Sequence, residues 1–130
     1  VVYSSAGVVL NDHWATMRTW GFVSNRLFDV LACGTPVISD PVEGMDDLFD
    51  GAVLQYRSPG ELRALVDEVL ADPGLARKRA ARGRDAVLAR HTFDHRAGEL
   101  LEALGAGRSV PEPPDARQGP SDGHLERGGG

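Results

Sequence analysis

The chain has 130 residues and a formal net charge of −5, from 14 Lys and Arg residues against 19 Asp and Glu residues. Because basic residues are neither in excess nor gathered in a long run, nucleic acid and anionic membranes are disfavoured as main partners. The single cysteine, Cys33, excludes an internal disulfide and a zinc site with four cysteine ligands. No apolar stretch approaches the roughly 20 residues that a membrane-spanning helix needs.

Aromatic residues and charge divide the chain into three parts. Residues 1–57 hold most of the aromatic residues and are acidic, whereas residues 58–104 carry acidic and basic residues in equal number. Residues 105–130 are rich in proline and glycine and poor in apolar side chains, so we predict a disordered tail. Because the chain starts with Val1 rather than Met, we expect it to be a piece of a longer protein. Without a signal-peptide pattern we expect a cytoplasmic location, which leaves open a peripheral position at the inner membrane face.

Three short apolar runs bounded by Gly, Pro, Asn or Asp predict buried β-strands over residues 8–10, 37–39 and 52–56. Between the first two, residues 25–33 form an apolar helix candidate that Ser24 can cap and Gly34 can end. Strand, helix and strand in this order predict a right-handed βαβ unit. The predicted fold class is therefore α/β. We expect a partial Rossmann-like domain with a short parallel sheet of about three strands, helices packed on it, and further C-terminal helices.

Three further helices are predicted after residue 58, each from a capping residue followed by an apolar pattern. Ser58 opens the first in a capping box with Glu61, Asp72 opens the second, and Thr92 opens the third. We expect the second helix to pack through small side chains, and the third to carry its apolar residues on one side. These residues are Ala76, Ala80, Gly83 and Val87 in the second helix, and Phe93, Ala97, Leu100, Leu101 and Leu104 in the third.

The connection over residues 11–23 is the segment most informative about function. It is longer than ordinary crossover loops, and it leads from the carboxyl end of a parallel strand, where ligands of open α/β sheets bind, to a helix that starts at Asn25. The backbone N–H groups and the dipole at that helix start favour a phosphate or carboxylate, and Gly21 allows a ligand to approach the backbone closely. Trp14, Trp20 and Phe22 favour an ordered loop.

Two residues near this helix start have alternative roles. Arg26 lies in the first turn, where it either offsets a bound phosphate or forms a salt bridge with Asp29 or Asp12. His13 follows Asp12, and adjacent side chains rarely face each other. We therefore interpret His13 as a loop-stabilising or sugar-binding residue rather than a general base.

Other reactive side chains are interpreted as structural. His91 and His95 have the spacing of metal ligands on a helix but no third ligand nearby, so capping and surface roles are preferred. Cys33 is expected to be a small buried side chain rather than a nucleophile. The acidic residues at 46–50 are expected to start or flank a short helix after Gly44.

Residues 28–38 read FDVLACGTPVI and resemble the LEAMACGTPVV segment of retaining nucleotide-sugar glycosyltransferases of family four and their relatives. Upstream, GFVSNR at residues 21–26 is similar to the GFG loop of that family. The whole stretch GFVSNRLFDVLACGTPVISD is similar in style to the C-terminal domain of spore-maturation-type glycosyltransferases. The later helices follow the same pattern, so the resemblance covers residues 10–104.

This resemblance implies a GT-B architecture, in which two Rossmann-like domains enclose the active site. Residues 1–104 would be the later half of the C-terminal, donor-binding domain, and the acceptor domain would lie upstream of Val1. The implied partners are a nucleotide-diphosphate sugar as donor and an unknown acceptor. Because the relatives include metal-independent members, no metal and no cofactor is expected. The chain alone is expected to be inactive, since the cleft needs two walls.

The resemblance also implies roles for individual residues. Asp29 matches the acidic residue that binds the donor ribose. The diphosphate site is matched by Gly21, Phe22, Val23, Ser24, Asn25 and Arg26, with the backbone N–H groups of Val23, Ser24 and Asn25 as donors. The acidic residue that binds the donor sugar is replaced by Trp20, so Asp12 or His13 is the candidate sugar contact. This departure supports an alternative to hexosyltransferase-like glycosyl transfer, namely a non-catalytic nucleotide-binding or structural α/β module.

Overall fold

A computed structural model describes residues 2–105 and shows an α/β fold with an open three-stranded parallel sheet. Its strands are β1 (Val9–Asn11), β2 (Val37–Ser39) and β3 (Leu54–Gln55). Its helices are α1 (Val2–Ser5), α2 (Ala15–Thr19), α3 (Asn25–Ala32), α4 (Met45–Phe49), α5 (Pro59–Ala71), α6 (Pro73–Arg90) and α7 (Phe93–Ala103). The predicted fold class is confirmed. Of the tail predicted over residues 105–130, residues 106–130 lie outside the described residues, and the predicted domain boundaries stay predictions.

The sheet has the order β1-β2-β3, and both strand pairs are parallel, with Val9 opposite Val37 and Ile38 opposite Leu54. All three residues of β2 are buried, because helices cover both faces of this central strand. Parallel pairing places the carboxyl ends of all three strands at one edge of the fold. Whatever side chains follow the strands therefore meet there.

The main core lies between β2, α3, α4 and α6. Helix α3 buries Leu27, Val30 and Leu31 completely, and the ring of Phe28 contacts the buried ring of Phe49 edge to face at 4.8 Å between centroids. A smaller cluster on the other face of the sheet joins Ile38 to α5 and α6. These contacts fix α3 against the sheet, and with it the helix N-terminus that points toward the strand ends.

Helix α6 approaches α3 through the small face that the sequence predicts, and Ala76, Ala80, Gly83 and Val87 are all buried. At Gly83 the approach is close enough that a Cβ atom would lie 2.6 Å from the Cβ of Ala52 and 2.8 Å from a methyl group of Leu31. Glycine is therefore required at position 83 for steric reasons.

Most of the predicted helix caps are confirmed. The side chains of Ser24, Ser58, Asp72 and Thr92 each accept a backbone hydrogen bond at the start of α3, α5, α6 and α7. The capping box at Ser58 differs in one respect, since the Glu61 carboxylate accepts the N–H of Arg57 at 2.6 Å. The short helix after Gly44 is present as α4.

Two local expectations are wrong. The segment between β1 and α3 contains a helix, α2, which begins without a side-chain cap and so gives no capping signal. Cys33 is the C-cap residue of α3 and is exposed rather than buried. The sequence analysis did not predict what the apolar row of α7 packs against, and within residues 2–105 no residue of α7 is buried, with Phe93 92 % exposed.

Crossing a bilayer requires a helix that is both long and apolar. Between residues 2 and 105, no helix combines sufficient length with sufficient apolar character.

Candidate functional site

A cleft of about 420 Å³ lies at the carboxyl ends of the strands and is the candidate functional site. Each strand contributes the residue that follows it: Asp12 after β1, Asp40 after β2 and Tyr56 after β3. Arg18, Pro41 and Arg57 complete the lining. We call this set the strand-end cleft. Its position is the one at which open parallel sheets bind ligands.

Asp40 is the centre of a buried polar network at the base of the strand-end cleft. One carboxylate oxygen lies 2.6 Å from Nδ1 of His13 and accepts the backbone N–H of His13 at 3.0 Å. The other oxygen accepts a hydrogen bond from Arg18 at 2.8 Å. Burial acts to raise the pKa of Asp40, but the hydrogen bonds from Arg18 and His13 outweigh it and hold that pKa below its ordinary value. Asp40 is therefore an anion that the loop after β1 folds around.

His13 connects this network to the start of α3. Its Nε2 atom accepts the backbone N–H of Ser24 at 3.0 Å, so the proton of the neutral ring is carried by Nδ1, facing Asp40. The residue is 3 % exposed, and both ring nitrogens are engaged within the protein. These contacts favour the loop-stabilising role of His13, and its role as a sugar contact stays a prediction.

The network continues into the sheet. Asn11, the last residue of β1, donates from Nδ2 to the hydroxyl of Ser39 at 3.0 Å, and that hydroxyl lies 3.3 Å from the Asp40 carboxylate. Within residues 2–105, the Oδ1 atom of Asn11 is buried without a hydrogen-bond partner. The ends of β1 and β2 are thus cross-linked by polar side chains as well as by the sheet.

The loop and helix start predicted to hold a diphosphate are partly engaged by the protein itself. The N–H groups of Gly21 and Phe22 donate to carbonyl groups of the α2 segment, and that of Ser24 donates to His13. Among the residues that the structure describes, Val23 and Asn25 carry N–H groups with no acceptor. The correction is therefore that two of the three predicted amides are open, and the Ser24 amide is not.

Gly21 has a further structural reason to be glycine. Its φ of 67° lies in the left-handed region, which side chains with a Cβ atom rarely adopt. No atom lies within 4 Å of the position that a Cβ would occupy. The constraint is thus on the backbone, and the space beside Gly21 is open.

Arg26 and Asp29 are both exposed on α3. In the described part of the chain neither takes part in an ion pair, so the salt bridge weighed as the alternative role of Arg26 is absent. Asp12 is likewise exposed and unpaired. The structure places Asp12 in the strand-end cleft, while the segment 21–29 lies beside the cleft, joined to it by the hydrogen bond between His13 and Ser24.

The aromatic residues of the β1–α3 connection do not order it by burial. Trp14, Trp20 and Phe22 are 80 %, 75 % and 64 % exposed. The order comes instead from Arg18, whose guanidinium joins the carbonyl of His13 to the Asp40 carboxylate. The expected ordered loop is present, but polar contacts replace the expected apolar ones.

The sequence-based prediction missed five of the six residues that line the cleft: Arg18, Asp40, Pro41, Tyr56 and Arg57. The signal that could have found three of them is position, because Asp40 and Arg57 directly follow predicted strands and Tyr56 is the last residue of one. Burial raises the pKa of Tyr56, and the Asp40 and Asp12 carboxylates add to that rise while Arg18 partly offsets it. The phenol therefore keeps its proton at neutral pH and can donate a hydrogen bond.

The histidines of the last two helices have the predicted roles. His95 forms a capping box with Thr92 at the start of α7. His91 ends α6, and its Nε2 lies 3.1 Å from the carbonyl oxygen of Leu48. Among residues 2–105, no three His, Cys, Asp or Glu side chains are grouped as metal ligands would be.

A family model described as glycosyl transferase-like matches residues 1–102. The chain belongs to this glycosyl transferase-like family. A search of curated proteins and a search of solved structures each found no match. Membership of the glycosyl transferase-like family makes transfer of a glycosyl group the general activity of the domain, which involves a sugar donor and an acceptor.

Proposed function

We propose that the chain is the donor-binding part of a GT-B glycosyltransferase of the retaining, spore-maturation type. It would bind a nucleotide-diphosphate sugar and support transfer of its hexosyl group to an acceptor. The observation that carries this proposal is the strand-end cleft, because residues following all three parallel strands line it and the N-terminus of α3 lies beside it.

The diphosphate would lie at the start of α3. Its oxygens would accept the open N–H groups of Val23 and Asn25, and the helix dipole would contribute about 0.3–2 kcal/mol. The cationic side chain of Arg26, which is exposed and forms no ion pair with another residue of 2–105, would add charge neutralisation. The hydrogen bond that the Ser24 N–H donates to Nε2 of His13 would hold these donors in place before the ligand binds.

The nucleoside would be bound through its ribose by Asp29. A carboxylate accepts hydrogen bonds from two adjacent hydroxyls, and the Asp29 carboxylate is exposed and has no ion-pair partner in the described part of the chain. The carboxylate of Asp12, which lines the strand-end cleft and forms no ion pair within residues 2–105, would accept hydrogen bonds from the transferred sugar.

Catalysis would come mainly from stabilising the leaving group. The bond between the anomeric carbon and the diphosphate oxygen breaks, the acceptor hydroxyl oxygen bonds to that carbon, and the hydroxyl proton passes to the departing diphosphate. Donors already oriented by the fold stabilise the charge that develops there, an effect worth a few kcal/mol. No enzyme base and no metal is assigned to this step. The second wall of the cleft would come from an acceptor domain, so the chain alone would bind the donor without transferring it.

The test is calorimetric titration of the 130-residue chain with UDP and with GDP. One of these nucleotides is expected to bind, and Asp29→Asn is expected to weaken that binding roughly tenfold through loss of charge-assisted hydrogen bonds. Asp67→Asn, an exposed acidic residue of α5, is the matched control. Failure of the wild-type chain to bind any nucleoside diphosphate would refute the donor site, and an unchanged affinity of Asp29→Asn would remove Asp29 from it.

A non-catalytic nucleotide-binding module is the second candidate. The observation that favours it is Trp20, which stands beside Gly21 where the similar glycosyltransferases carry an acidic residue. The two candidates differ in one measurement on the longest available form of the protein: release of nucleoside diphosphate from a nucleotide sugar requires turnover. Binding of the donor without such release would favour the module.

A further inference from the structure

We propose that the strand-end cleft binds the phosphorylated sugar of the donor, with Arg57 and Arg18 on phosphate oxygens and Asp12 on sugar hydroxyls. This inference rests on the proposed function and assigns specific residues to it. It adds a second set of phosphate contacts to those at the start of α3.

Arg57 is the cation of the cleft with the most freedom to bind. It follows the carboxyl end of β3, and its side chain makes no hydrogen bond or ion pair with the rest of residues 2–105. Only its backbone N–H is engaged, by Glu61. A guanidinium presents five N–H donors in a planar fork that fits phosphate oxygens in pairs. Arg57 therefore offers its whole donor set to an anion in the cleft.

Arg18 is a second cation, already oriented. Its NH1 atom is held by the Asp40 carboxylate at 2.8 Å and by the carbonyl of His13 at 3.0 Å. The side chain is 47 % exposed, and its remaining nitrogen atoms have no protein acceptor in the described structure. The part of Arg18 that faces the cleft thus loses little conformational freedom when it binds a ligand.

The hydrogen-bonding side chains of Asp12 and Tyr56 determine which kind of anion the strand-end cleft can bind. Asp12, whose carboxylate has no ion-pair partner among the described residues, would repel a phosphate placed next to it, but it would accept hydrogen bonds from hydroxyl groups. Tyr56, which lies close enough to Asp12, Arg18 and Asp40 to feel their charges, adds a phenol donor. Because Arg18 and His13 already satisfy Asp40, its charge does not oppose an incoming anion as strongly as a free carboxylate would. A bare phosphate uses only the arginines, whereas a sugar phosphate also uses Asp12.

The experiment is an NMR titration of the 130-residue chain with pyrophosphate and with glucose, galactose and mannose 1-phosphates. Arg57→Ala is expected to weaken binding of both kinds of probe roughly tenfold or more. Asp12→Asn is expected to lower the affinity for the best-binding sugar 1-phosphate roughly tenfold. The affinity for pyrophosphate should stay the same or increase. Arg63→Ala and Asp67→Asn on the exposed side of α5 are the matched controls and should leave both affinities unchanged. Thermal unfolding of each variant verifies that it is folded.

The outcomes separate this inference from the proposed function. If UDP or GDP binds in an Asp29-dependent way while Arg57→Ala and Asp12→Asn bind every probe like the wild type, the cleft assignment is refuted and the donor site at α3 stands. If Asp12→Asn weakens the binding of pyrophosphate as much as the binding of the sugar 1-phosphate, Asp12 does not bind the sugar hydroxyls and the assignment is refuted. If the wild-type chain binds neither nucleoside diphosphates nor these probes, both proposals are refuted.

Discussion

Replacing Gly83 by alanine tests the packing that positions α3. The added methyl group would lie 2.6 Å from Ala52 and 2.8 Å from Leu31, against the roughly 3.5–4.0 Å of favourable carbon contacts. Overpacking of a core costs about 1–3 kcal/mol, while alanine gains about 0.5–1 kcal/mol over glycine in a helix. We therefore expect Gly83→Ala to lower the free energy of unfolding by about 1–2 kcal/mol.

Gly98→Ala is the matched control for this prediction. Gly98 lies in α7, and no atom lies within 4 Å of the position that a Cβ would occupy there, so only the helix propensity changes and the stability should rise by about 0.5–1 kcal/mol. Urea and thermal unfolding followed by circular dichroism measure both variants, and the Gly83→Ala loss corresponds to a fall in Tm of about 5–15 °C. If Gly83→Ala were stabilised as much as Gly98→Ala, the close contact between α6 and α3 would be refuted.

Three further changes test the polar network and the surface. His13→Ala removes the hydrogen bonds to Asp40 and Ser24 and should destabilise the chain by about 2–4 kcal/mol in urea unfolding; a loss near zero would contradict the buried network. Because the pKa of Asp40 is lowered from 3.8, its contribution to stability is complete above that pH and is lost as the pH falls through the lower folded value. Asp40→Asn should thus make the free energy of unfolding depend less on pH in the acid range. An unchanged pH dependence would argue against a lowered pKa of Asp40. The exposed thiol of Cys33 should react with a thiol reagent in the folded chain, and protection until unfolding would contradict its exposure.

Much of the fold could be predicted from the sequence because its signals are local. A capping residue such as Ser24 or Asp72 acts within three residues of itself, and the small face around Gly83 repeats along one helix. The three apolar runs are short, but the turn residues between them mark the strands. The parallel order of the sheet then follows from the helical connections.

The candidate site could be predicted only in part because it depends on contacts between distant segments. Asp40 lies 27 residues after His13 in the chain, and no local pattern indicates that the two side chains meet. The position of the site at the strand ends was predictable from topology, whereas the engagement of the Ser24 amide was not. Cys33 and the apolar row along α7 show a related limit. The residue type indicates an apolar side chain, but it does not indicate which part of the protein packs against that side chain.

The exposed aromatic residues of the β1–α3 connection have a practical consequence. Trp14 and Trp20 are the two tryptophans of the chain, and both are largely exposed in the folded state. Intrinsic fluorescence will therefore respond weakly to loss of the core, since the indole rings remain in water when the chain unfolds. A ligand that contacts this connection will change their emission directly, so the chain carries its own optical reporter of occupancy near the strand ends.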